Sequence, residues 1–331
     1  MKPLKERDIR PSDHGAEQKR RYESDVARLL THRSEFVHVV CPACGADKPT
    51  DHFEKYSLMY KRCLDCSTVY ITPRPTPDLL QSYYETSENY AFWNDVIFPA
   101  SEDARRARIF VPRVAKLDAL CKAHGAKQRV LLEVGAGFGT FCEEAMRAGT
   151  FERVIAVEPT PSLAETCRKK GIDVRESTIE NAVLDEPVDV IASFEVIEHL
   201  FDPAAFISSC HKRLPIGGLV VFTCPNIHGF DIDVLGPASP AVDVEHLNYF
   251  HPASLSLLLN RLGFDVLETQ TPGILDADIV RNRVIDGEFD LKDGFLRRVL
   301  IDEWDRLGEA FQRFISDNHL SSNMWICARK R

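Results

Sequence analysis

The amino-acid sequence predicts an α/β protein whose mostly parallel, Rossmann-like sheet follows a small β-rich module near the N-terminus. Three observations predict this fold class. From Val130 onward, short apolar runs alternate with helical segments, which is the pattern of repeated βαβ units. One apolar run leads directly into the glycine-rich residues 135–139. Two Cys-x-x-Cys pairs precede the alternating region and indicate a metal-stabilised module.

The composition of the chain limits the classes of partner and substrate that are expected. The chain has 331 residues, 44% of them hydrophobic, which is enough for a main domain with an appendage. Its 41 Lys and Arg against 50 Asp and Glu give a net charge of -9, and no run of basic residues is long enough to cover a face of the protein. A nucleic-acid partner is therefore not expected, and a small-molecule substrate fits better.

The first ten residues, MKPLKERDIR, contain no apolar core of the kind that secretory signal peptides have. No uninterrupted apolar stretch approaches the roughly 18 residues that a transmembrane helix requires. The sequence therefore predicts a cytoplasmic protein without a transmembrane segment.

The N-terminal third divides into three predicted parts. Residues 1–36 mix both charges and are predicted to be an arm that runs into a helix, with Leu29 and Leu30 apolar enough to dock. Residues 37–72 form the predicted β-rich metal module. After three prolines, Asp78 opens a helical stretch, so residues 73–126 are predicted to be a helical joint or a lid. The aromatic residues that favour either role are Tyr83, Tyr84, Tyr90 and Trp93.

The four cysteines of the module have the spacing of a zinc ribbon. Cys41 and Cys44 form one knuckle and Cys63 and Cys66 form the second, with 18 residues between the two knuckles. Four thiolates favour Zn²⁺ and leave no open coordination position, which predicts a structural zinc ion. An iron–sulfur cluster and a redox dithiol are the alternatives. The six other cysteines lie within helix or strand patterns and are expected to be small buried hydrophobes.

The main domain is predicted to cover residues 127–331. Its strands are predicted at residues 130–134, 154–158, 172–175, 188–194, 219–223, 264–271 and 324–328. Asp202 with Pro203 and Pro252 indicate helix starts, and Gly263 indicates a helix end. Residues 274–320 are predicted to be a helical insertion whose apolar residues recur at helical spacing. This apolar face predicts packing on the core or on a partner subunit, which leaves a homodimer open.

The glycine-rich loop predicts a nucleoside-sized ligand. The dinucleotide fingerprint G-x-G-x-x-G would need a glycine at position 140, where Thr140 stands. Glu158 ends the second strand of the domain, where a carboxylate can accept hydrogen bonds from both ribose hydroxyls. Thr140 weakens the prediction of a nicotinamide cofactor, and Glu158 argues against a 2′-phosphate.

The sequence resembles the class I S-adenosylmethionine-dependent methyltransferases. The segment E-V-G-A-G-F-G at 133–139 resembles their first motif, and V-E-P at 157–159 resembles their acidic second motif. Residues 189–200 resemble the fourth strand and its loop, and residues 217–226 the fifth. The resemblance implies S-adenosylmethionine as cofactor and a sheet whose last strand is antiparallel. It implies these cofactor-binding residues: Glu133, Gly135, Ala136, Gly137, Phe138, Glu158, Pro159, Thr178, Phe194 and Glu195.

The methyl acceptor is expected at the carboxyl ends of the strands, where His199 follows the fourth strand. His246 stands after the fifth strand among large apolar neighbours. Histidine is the natural general base near neutral pH, although each of the two histidines could instead stabilise its loop.

The Glu245-His246 pair and the cysteine knuckles resemble a subgroup of zinc-containing methyltransferases that act on sugars, often nucleotide-linked or glycan sugars. In related sugar C-methyltransferases such a pair deprotonates the acceptor, which implies a catalytic role for Glu245 and His246. A tyrosine shortly before that pair is replaced here by Asp243 and Val244. Methyl transfer to a hydroxyl is therefore slightly preferred over transfer to carbon.

Four alternatives remain, the first of which is a methyltransferase that acts on another small molecule. A nicotinamide-dependent sugar oxidoreductase would share the fold. A nucleic-acid-binding module would use the ribbon, but Lys61 and Arg62 are too few for it. A nucleic-acid amino methyltransferase would carry Asn-Pro-Pro-aromatic where residues 193–196 read S-F-E-V.

Overall fold

The structure, a computed structural model, describes residues 4–10 and 14–331, which fold into two compact units. Unit 1 consists of the described part of Met1–Ala104, with Pro225–His251 and Thr271–Asn323. Unit 2 consists of Arg105–Cys224, Pro252–Gln270 and Met324–Arg331. Each unit is thus assembled from separate stretches of the chain. The division by sequence into arm, module, joint and main domain stays a prediction.

The strands and helices are numbered in chain order. The strands are β1 (Pro49–Lys55), β2 (Leu58–Cys63), β3 (Val69–Ile71), β4 (Val130–Val134), β5 (Arg153–Val157), β6 (Asp173–Arg175), β7 (Val190–Phe194), β8 (Leu219–Pro225), β9 (Asn248–Tyr249), β10 (Phe264–Gln270) and β11 (Asn323–Lys330). The α-helices are α1 (Glu6–Ile9), α2 (Gly15–Leu30), α3 (Pro77–Thr86), α4 (Glu88–Phe92), α5 (Phe98–Arg105), α6 (Val111–Ala123), α7 (Thr140–Ala148), α8 (Pro161–Lys169), α9 (Pro203–Arg213), α10 (Phe230–Leu235), α11 (Pro252–Arg261), α12 (Asp276–Ile285), α13 (Gly294–Arg297) and α14 (Trp304–Asp317). Wider π-type turns connect some of them, at Trp93–Ile97, Arg106–Phe110 and Arg298–Asp302.

Unit 2 contains a seven-stranded sheet in the order β10-β11-β8-β7-β4-β5-β6. The neighbours β4 and β5, β4 and β7, β5 and β6, and β7 and β8 are parallel, whereas β10 and β11 are antiparallel. Strands β4, β7 and β8 are buried along their whole length, as expected of central strands covered on both faces. The predicted fold class, mostly parallel with an antiparallel last strand, is confirmed.

Several strand boundaries differ from the prediction by a few residues. The fourth strand of this sheet along the chain was expected to begin at residue 188 but begins at Val190. The carboxylate of the preceding Asp189 accepts hydrogen bonds from the backbone N–H groups of Arg129 and Val130, 3.1 Å away in each case. The last strand was expected to end at residue 328 but extends to Lys330, which pairs with Phe264 at the start of β10.

The predicted helix starts follow capping chemistry. Asp202 caps α9, where its side chain accepts a hydrogen bond from the backbone N–H of Ala205 at 3.0 Å, as expected. The start expected at Asp78 is one residue late, because Thr76 is the cap and Pro77 the first residue of α3. Among the described residues, no helix combines the length and the apolar character that a bilayer span requires.

Unit 1 contains a four-stranded antiparallel sheet in the order β1-β2-β3-β9. The first three strands form the predicted β-rich module. The fourth, β9, was not predicted, since it has two residues and lies 177 positions after the end of β3. The sequence-distant residues 248 and 249 therefore complete the sheet of the cysteine module.

Helix α2 is held by a buried carboxylate within unit 1. Asp25 is fully buried and accepts hydrogen bonds from the Ser87 hydroxyl at 2.7 Å and the backbone N–H of Asn89 at 2.8 Å. It thereby caps the N-terminus of α4, where the helix dipole favours a negative charge. Leu29 is buried as expected, whereas Leu30 is only half buried.

The helical insertion forms its own apolar cluster in unit 1, which includes Val280, Leu300 and Ile315. The expected helical periodicity is confirmed in α14, although Phe314 at its end is 54% exposed. Packing of this face against a partner subunit stays a prediction.

Candidate active site

The glycine-rich loop connects β4 to α7 in unit 2. The backbone N–H of Gly135 donates to the carbonyl oxygen of Val157 at 2.8 Å, so the loop turns over the end of β5. Ala136 is buried and Phe138 is half buried. The loop therefore brings its backbone to the carboxyl ends of two parallel strands, where open sheets bind ligands.

Two glycines of the loop face different surroundings. Both have left-handed backbone angles, with φ of 54° at Gly137 and 69° at Gly139. A Cβ atom at Gly139 would lie 2.5 Å from Cδ1 of Ile172 and 2.9 Å from Sγ of Cys167, so this glycine allows close packing. A Cβ atom at Gly137 would meet no atom within 4 Å. The open space at Gly137 is where a ligand can approach the backbone.

Glu158 follows β5 immediately and faces the loop. Its buried carboxylate accepts hydrogen bonds from the backbone N–H groups of Gly137 at 2.7 Å and Thr160 at 2.9 Å. Burial raises the pKa of this carboxyl, and the two amide donors oppose that shift. Since a carboxylate has about four acceptor positions, it retains acceptor capacity for a ligand hydroxyl beside these amides and the Thr160 side chain. Its neighbour Pro159 is exposed.

Glu133 lies on β4, buried just before the glycine loop. Burial raises the pKa of its carboxyl to about 8. A hydrogen bond from Sγ of Cys142, at 3.0 Å, and the positive charge of Arg113 partly counteract this rise. A ligand ammonium group next to Glu133 would favour the ionised carboxylate further.

Arg113 of α6 was not predicted as a site residue. Its side chain is 16% exposed, its guanidinium lies 4.8 Å from the Phe194 ring centroid, and its Nη2 is 3.6 Å from Oε1 of Glu195. Burial lowers the pKa of Arg113, and the charges of Glu195 and Glu133 oppose that shift. A buried cation near a buried acid matches the two charges of an amino-acid group. The sequence of this helix has an amphipathic pattern, and that pattern does not distinguish Arg113 as a site residue.

Glu195 follows β7 with a φ of 55°, an uncommon backbone angle for a residue other than glycine. Its Oε1 accepts a hydrogen bond from the Thr223 hydroxyl at 2.6 Å. The preceding Phe194 ring packs at 4.6 Å from the Phe141 ring. A strained backbone angle of this kind is retained where many surrounding contacts hold the residue in place, and such residues are often found at functional sites.

Two further predicted residues of unit 2 lie at strand ends. Thr178 is exposed and follows β6. His199 is half buried in the loop after β7, where its backbone N–H donates to the Val196 carbonyl oxygen at 3.0 Å. Their positions agree with the expected edge of the sheet, and their roles stay predictions.

The Glu245-His246 pair belongs to unit 1, just before β9. Nδ1 of His246 lies 2.8 Å from the Ala241 carbonyl oxygen. A carbonyl can only accept, so Nδ1 carries the proton and Nε2 of the neutral ring holds the lone pair. The Asp243 carboxylate, 3.7 Å from Nδ1, would stabilise the ring after it gained a second proton. The side chain thus has the tautomer and the acidic neighbour that a general base uses.

Asp243 and Tyr83 complete this arrangement, and neither was predicted to do so. Oδ1 of Asp243 accepts from the backbone N–H groups of Glu245 at 3.0 Å and His246 at 2.8 Å. Tyr83 donates its hydroxyl to Oε1 of Glu245 at 3.0 Å. Burial of the carboxyl group and the negative charge of Asp243 raise the pKa of Glu245 to about 8. An aspartate often accepts hydrogen bonds from backbone N–H groups two or three residues later, and this tendency of Asp243 was the sequence feature that could have predicted its role.

The four cysteines of the module converge on one point. Sγ of Cys41 is 3.4 Å from Sγ of Cys66, and Sγ of Cys44 is 3.5 Å from Sγ of Cys63. All four sulfurs lie within 4.8 Å of one another. A tetrahedral ion with metal–sulfur bonds of about 2.3 Å separates its ligands by about 3.8 Å, so one such ion fits. A four-iron cluster places an iron at each thiolate and requires sulfurs farther apart.

Both knuckles have the same backbone turn. The N–H of Gly45 donates to the Cys41 carbonyl and that of Ser67 donates to the Cys63 carbonyl, each at 2.9 Å. Gly45 and Ser67 both have positive φ. The remaining cysteines are buried as expected: Cys121, Cys142, Cys167, Cys210, Cys224 and Cys327.

Comparison with known proteins decides the family. The methyltransferase domain family matches residues 102–269, just over half of the chain. This chain belongs to the methyltransferase domain family. The prediction of a methyltransferase domain is thereby confirmed, as is the predicted sheet.

Two relatives illustrate how far the similarity extends. A protein named as a probable S-adenosylmethionine-dependent methyltransferase from Mycolicibacterium smegmatis is 32% identical over 150 residues, which are 44% of this chain and 56% of the relative. A ubiquinone biosynthesis O-methyltransferase from Bradyrhizobium sp. is 36% identical over 102 residues, which are 29% of this chain and 40% of the relative. The chain therefore matches only about half of the length of these relatives.

Among solved structures, the plantazolicin methyltransferase BamL, in complex with a triazolic desmethylPZN analog and SAH, has a TM-score of 0.50 and 11% sequence identity. The match covers 76% of this chain and 94% of that chain. At this identity the likeness concerns the fold alone.

Proposed function

We propose that the protein transfers the methyl group of S-adenosylmethionine to a carbohydrate, on a nucleotide-linked or glycan sugar. A hydroxyl is the preferred acceptor and a carbon the second. The observation that carries this proposal is the arrangement of the Glu158 carboxylate on the open glycine loop of a methyltransferase domain.

The residues around the glycine loop fit each part of this cofactor. Glu158 retains acceptor capacity for the ribose hydroxyls, and the open space at Gly137 admits the ligand. Glu133 would hold the amino group and Arg113 the carboxylate of its methionine part. Ala136, Phe138, Pro159, Thr178, Phe194 and Glu195 are proposed to line the same site. When bound, the cofactor supplies an electrophilic methyl group on a sulfonium.

His246 is proposed to accept the proton that the sugar hydroxyl loses. Because Nδ1 donates to the Ala241 carbonyl, Nε2 is the basic atom. Asp243 stabilises the positive ring that results. Glu245, whose raised pKa keeps it protonated near neutral pH, would donate a hydrogen bond to the acceptor. His199 is retained as a second candidate base, with a structural role as its alternative.

The sugar class rests on the Glu245-His246 pair together with the cysteine knuckles, which resemble those of sugar methyltransferases. The similarity to an O-methyltransferase of ubiquinone biosynthesis supports transfer to oxygen. A methyltransferase acting on another small molecule is the alternative. A nicotinamide-dependent oxidoreductase is disfavoured, since the third glycine of its fingerprint is replaced by the buried Thr140.

We propose a structural Zn²⁺ at Cys41, Cys44, Cys63 and Cys66. The sulfur separations and the paired knuckle turns support a single tetrahedral ion. Metal analysis of the purified protein by mass spectrometry is expected to give about one zinc per chain. An absorption spectrum of an iron–sulfur cluster would contradict this assignment.

The function is tested with deuterated-methyl S-adenosylmethionine and a panel of nucleotide sugars, glycans and phenols, with products analysed by mass spectrometry. Labelled methyl on a sugar is expected. Labelling of phenols alone would contradict the carbohydrate class while leaving methyl transfer intact. His246→Gln should lower turnover at least about 100-fold with unchanged cofactor affinity. His32→Gln, at an exposed position of the same unit, is the matched control.

A further inference from the structure

The hairpin of the cysteine module contacts the segment that carries His246. The base loop is defined here as residues 239–247. Nζ of Lys55, at the end of β1, donates to the carbonyl oxygens of Ser239, at 3.2 Å, and Val242. The hydroxyl of Tyr60, on β2, donates to the carbonyl oxygen of Asp243 at 2.6 Å. Two side chains of one hairpin thus bind three backbone carbonyls of the base loop.

These anchors flank the groups that orient His246. The Ala241 carbonyl, which accepts from Nδ1 of His246, lies between the two carbonyls bound by Lys55. Asp243, whose carbonyl is bound by Tyr60, uses its side chain to accept from the backbone N–H of His246 at 2.8 Å. Displacing either carbonyl would change the direction of the imidazole ring.

The end of the base loop continues into the sheet of the same module. The N–H of Ile71 donates to the Leu247 carbonyl at 3.0 Å, and β9 then pairs with β3 in the register Val69 to Tyr249. Further along, Nε2 of His251 lies 2.8 Å from the carbonyl oxygen of Cys66. The base loop is therefore held at both ends by the cysteine module.

Because Lys55 is partly buried, its hydrogen bonds to the base loop contribute to the stability of this arrangement. An amine removed from water loses solvation that only hydrogen bonds can replace. Burial lowers the pKa of Lys55 to about 8, while the charge of Asp243 opposes this change. The three carbonyls also need donors, because buried backbone oxygens without partners are costly. Tyr22 of α2 adds one contact to the loop, accepting from the N–H of Val244 at 2.8 Å.

We propose that Lys55 and Tyr60 are positioning residues of the methyl-transfer site, through which the cysteine module sets the orientation and tautomer of His246. This inference rests on the proposed role of His246 as base. It assigns the module a task beyond its own folding, because metal binding orders the hairpin and the hairpin orders the base loop.

The test uses the full-length zinc-loaded protein and two readouts that need no methyl acceptor. Hydrogen exchange followed by mass spectrometry reports the opening of residues 239–251. Proton–nitrogen NMR of the histidine side chains, with the His246 signal assigned by substitution, reports which ring nitrogen carries the proton. The variants are Tyr60→Phe and Lys55→Met. The matched control is Tyr56→Phe, which removes a hydroxyl from the same hairpin and keeps the ring that lies 5.3 Å from Nζ of Lys55.

Tyr60→Phe and Lys55→Met are expected to speed exchange in residues 239–251 by about tenfold or more, because each removes buried hydrogen bonds. His246 should lose its fixed Nδ1–H tautomer. S-adenosylmethionine affinity and exchange in residues 130–134 should stay at their wild-type values. Unchanged exchange and an unchanged His246 tautomer in both variants would overturn the proposal.

Chelation of the metal gives an independent measurement in case a variant fails to fold. Removing zinc should speed exchange in residues 239–251, and adding Zn²⁺ back should restore protection. Persistent protection of this segment without metal would also overturn the proposal. A dispensable His246 in turnover assays would instead refute its proposed role as base, and would leave the coupling of module and loop measurable.

Discussion

Replacing Gly137 and Gly139 one at a time with alanine separates ligand binding from packing within one loop. Each glycine has a left-handed backbone angle, so each alanine variant loses about 1–2 kcal/mol of folding free energy from backbone strain. At Gly139 the new methyl group also meets Ile172 at 2.5 Å and Cys167 at 2.9 Å. Overpacking of this kind costs about 1–3 kcal/mol more.

The two variants should therefore rank in opposite order in two assays. In urea unfolding of the ligand-free protein, Gly139→Ala is expected to lose about 2–5 kcal/mol and Gly137→Ala only about 1–2 kcal/mol. In calorimetric titration with S-adenosylmethionine, Gly137→Ala should lose about 10- to 100-fold in affinity, because its methyl group fills the space next to Glu158. Wild-type affinity of Gly137→Ala would refute the assignment of that space to the cofactor.

Three further outcomes follow from buried groups. Since the pKa of Glu133 is raised to about 8, its carboxyl is mostly protonated at pH 7, and cofactor binding should release up to about one proton from it. This release is measured as a difference between the calorimetric heats of binding in phosphate and in Tris buffer. Glu133→Gln should abolish the difference. Folding raises the pKa of Glu245 from 4.5 to about 8, so the stabilising effect of its protonated carboxyl is complete below pH 4.5 and is lost as the pH rises to about 8. The free energy of unfolding of Glu245→Gln, measured in urea, should therefore depend less on pH across this window. A pH profile identical to that of the wild type would contradict the assigned burial of Glu245. Cys63→Ser should lose zinc and lower the melting temperature by more than about 5 °C. The control variant Cys210→Ser, at a buried cysteine outside the cluster, should keep its zinc. Retention of zinc by Cys63→Ser would contradict the four-cysteine site.

The sheet of unit 2 was predictable because its order depends on local patterns. Strand β4 is apolar except for Glu133 and leads directly into Gly135, which is the pattern of a buried parallel strand before a glycine loop. Capping chemistry at Asp202 likewise fixed the start of α9. Boundaries were less predictable, because the end of a strand depends on pairing with a remote strand, as Lys330 of β11 pairs with Phe264 of β10.

The residues that complete the candidate site were harder to predict because their partners are remote in sequence. Lys55 and Tyr60 bind carbonyl groups more than 180 positions away. Tyr83 contacts Glu245 across 162 positions. Arg113 is one of three cations in an amphipathic helix, and only its packing against Phe194 distinguishes it from the others. Local motifs thus identify the groups with chemistry, and tertiary contacts identify the groups that orient them.

The central claim is that the loop at residues 135–139 and Glu158 bind S-adenosylmethionine, and direct calorimetric titration tests it. The wild-type protein is expected to bind S-adenosylmethionine and not NAD. Glu158→Ala should weaken binding about 100-fold through loss of two charge-assisted hydrogen bonds to the ribose. Binding of NAD alone, or unchanged S-adenosylmethionine affinity in Glu158→Ala, would contradict the claim.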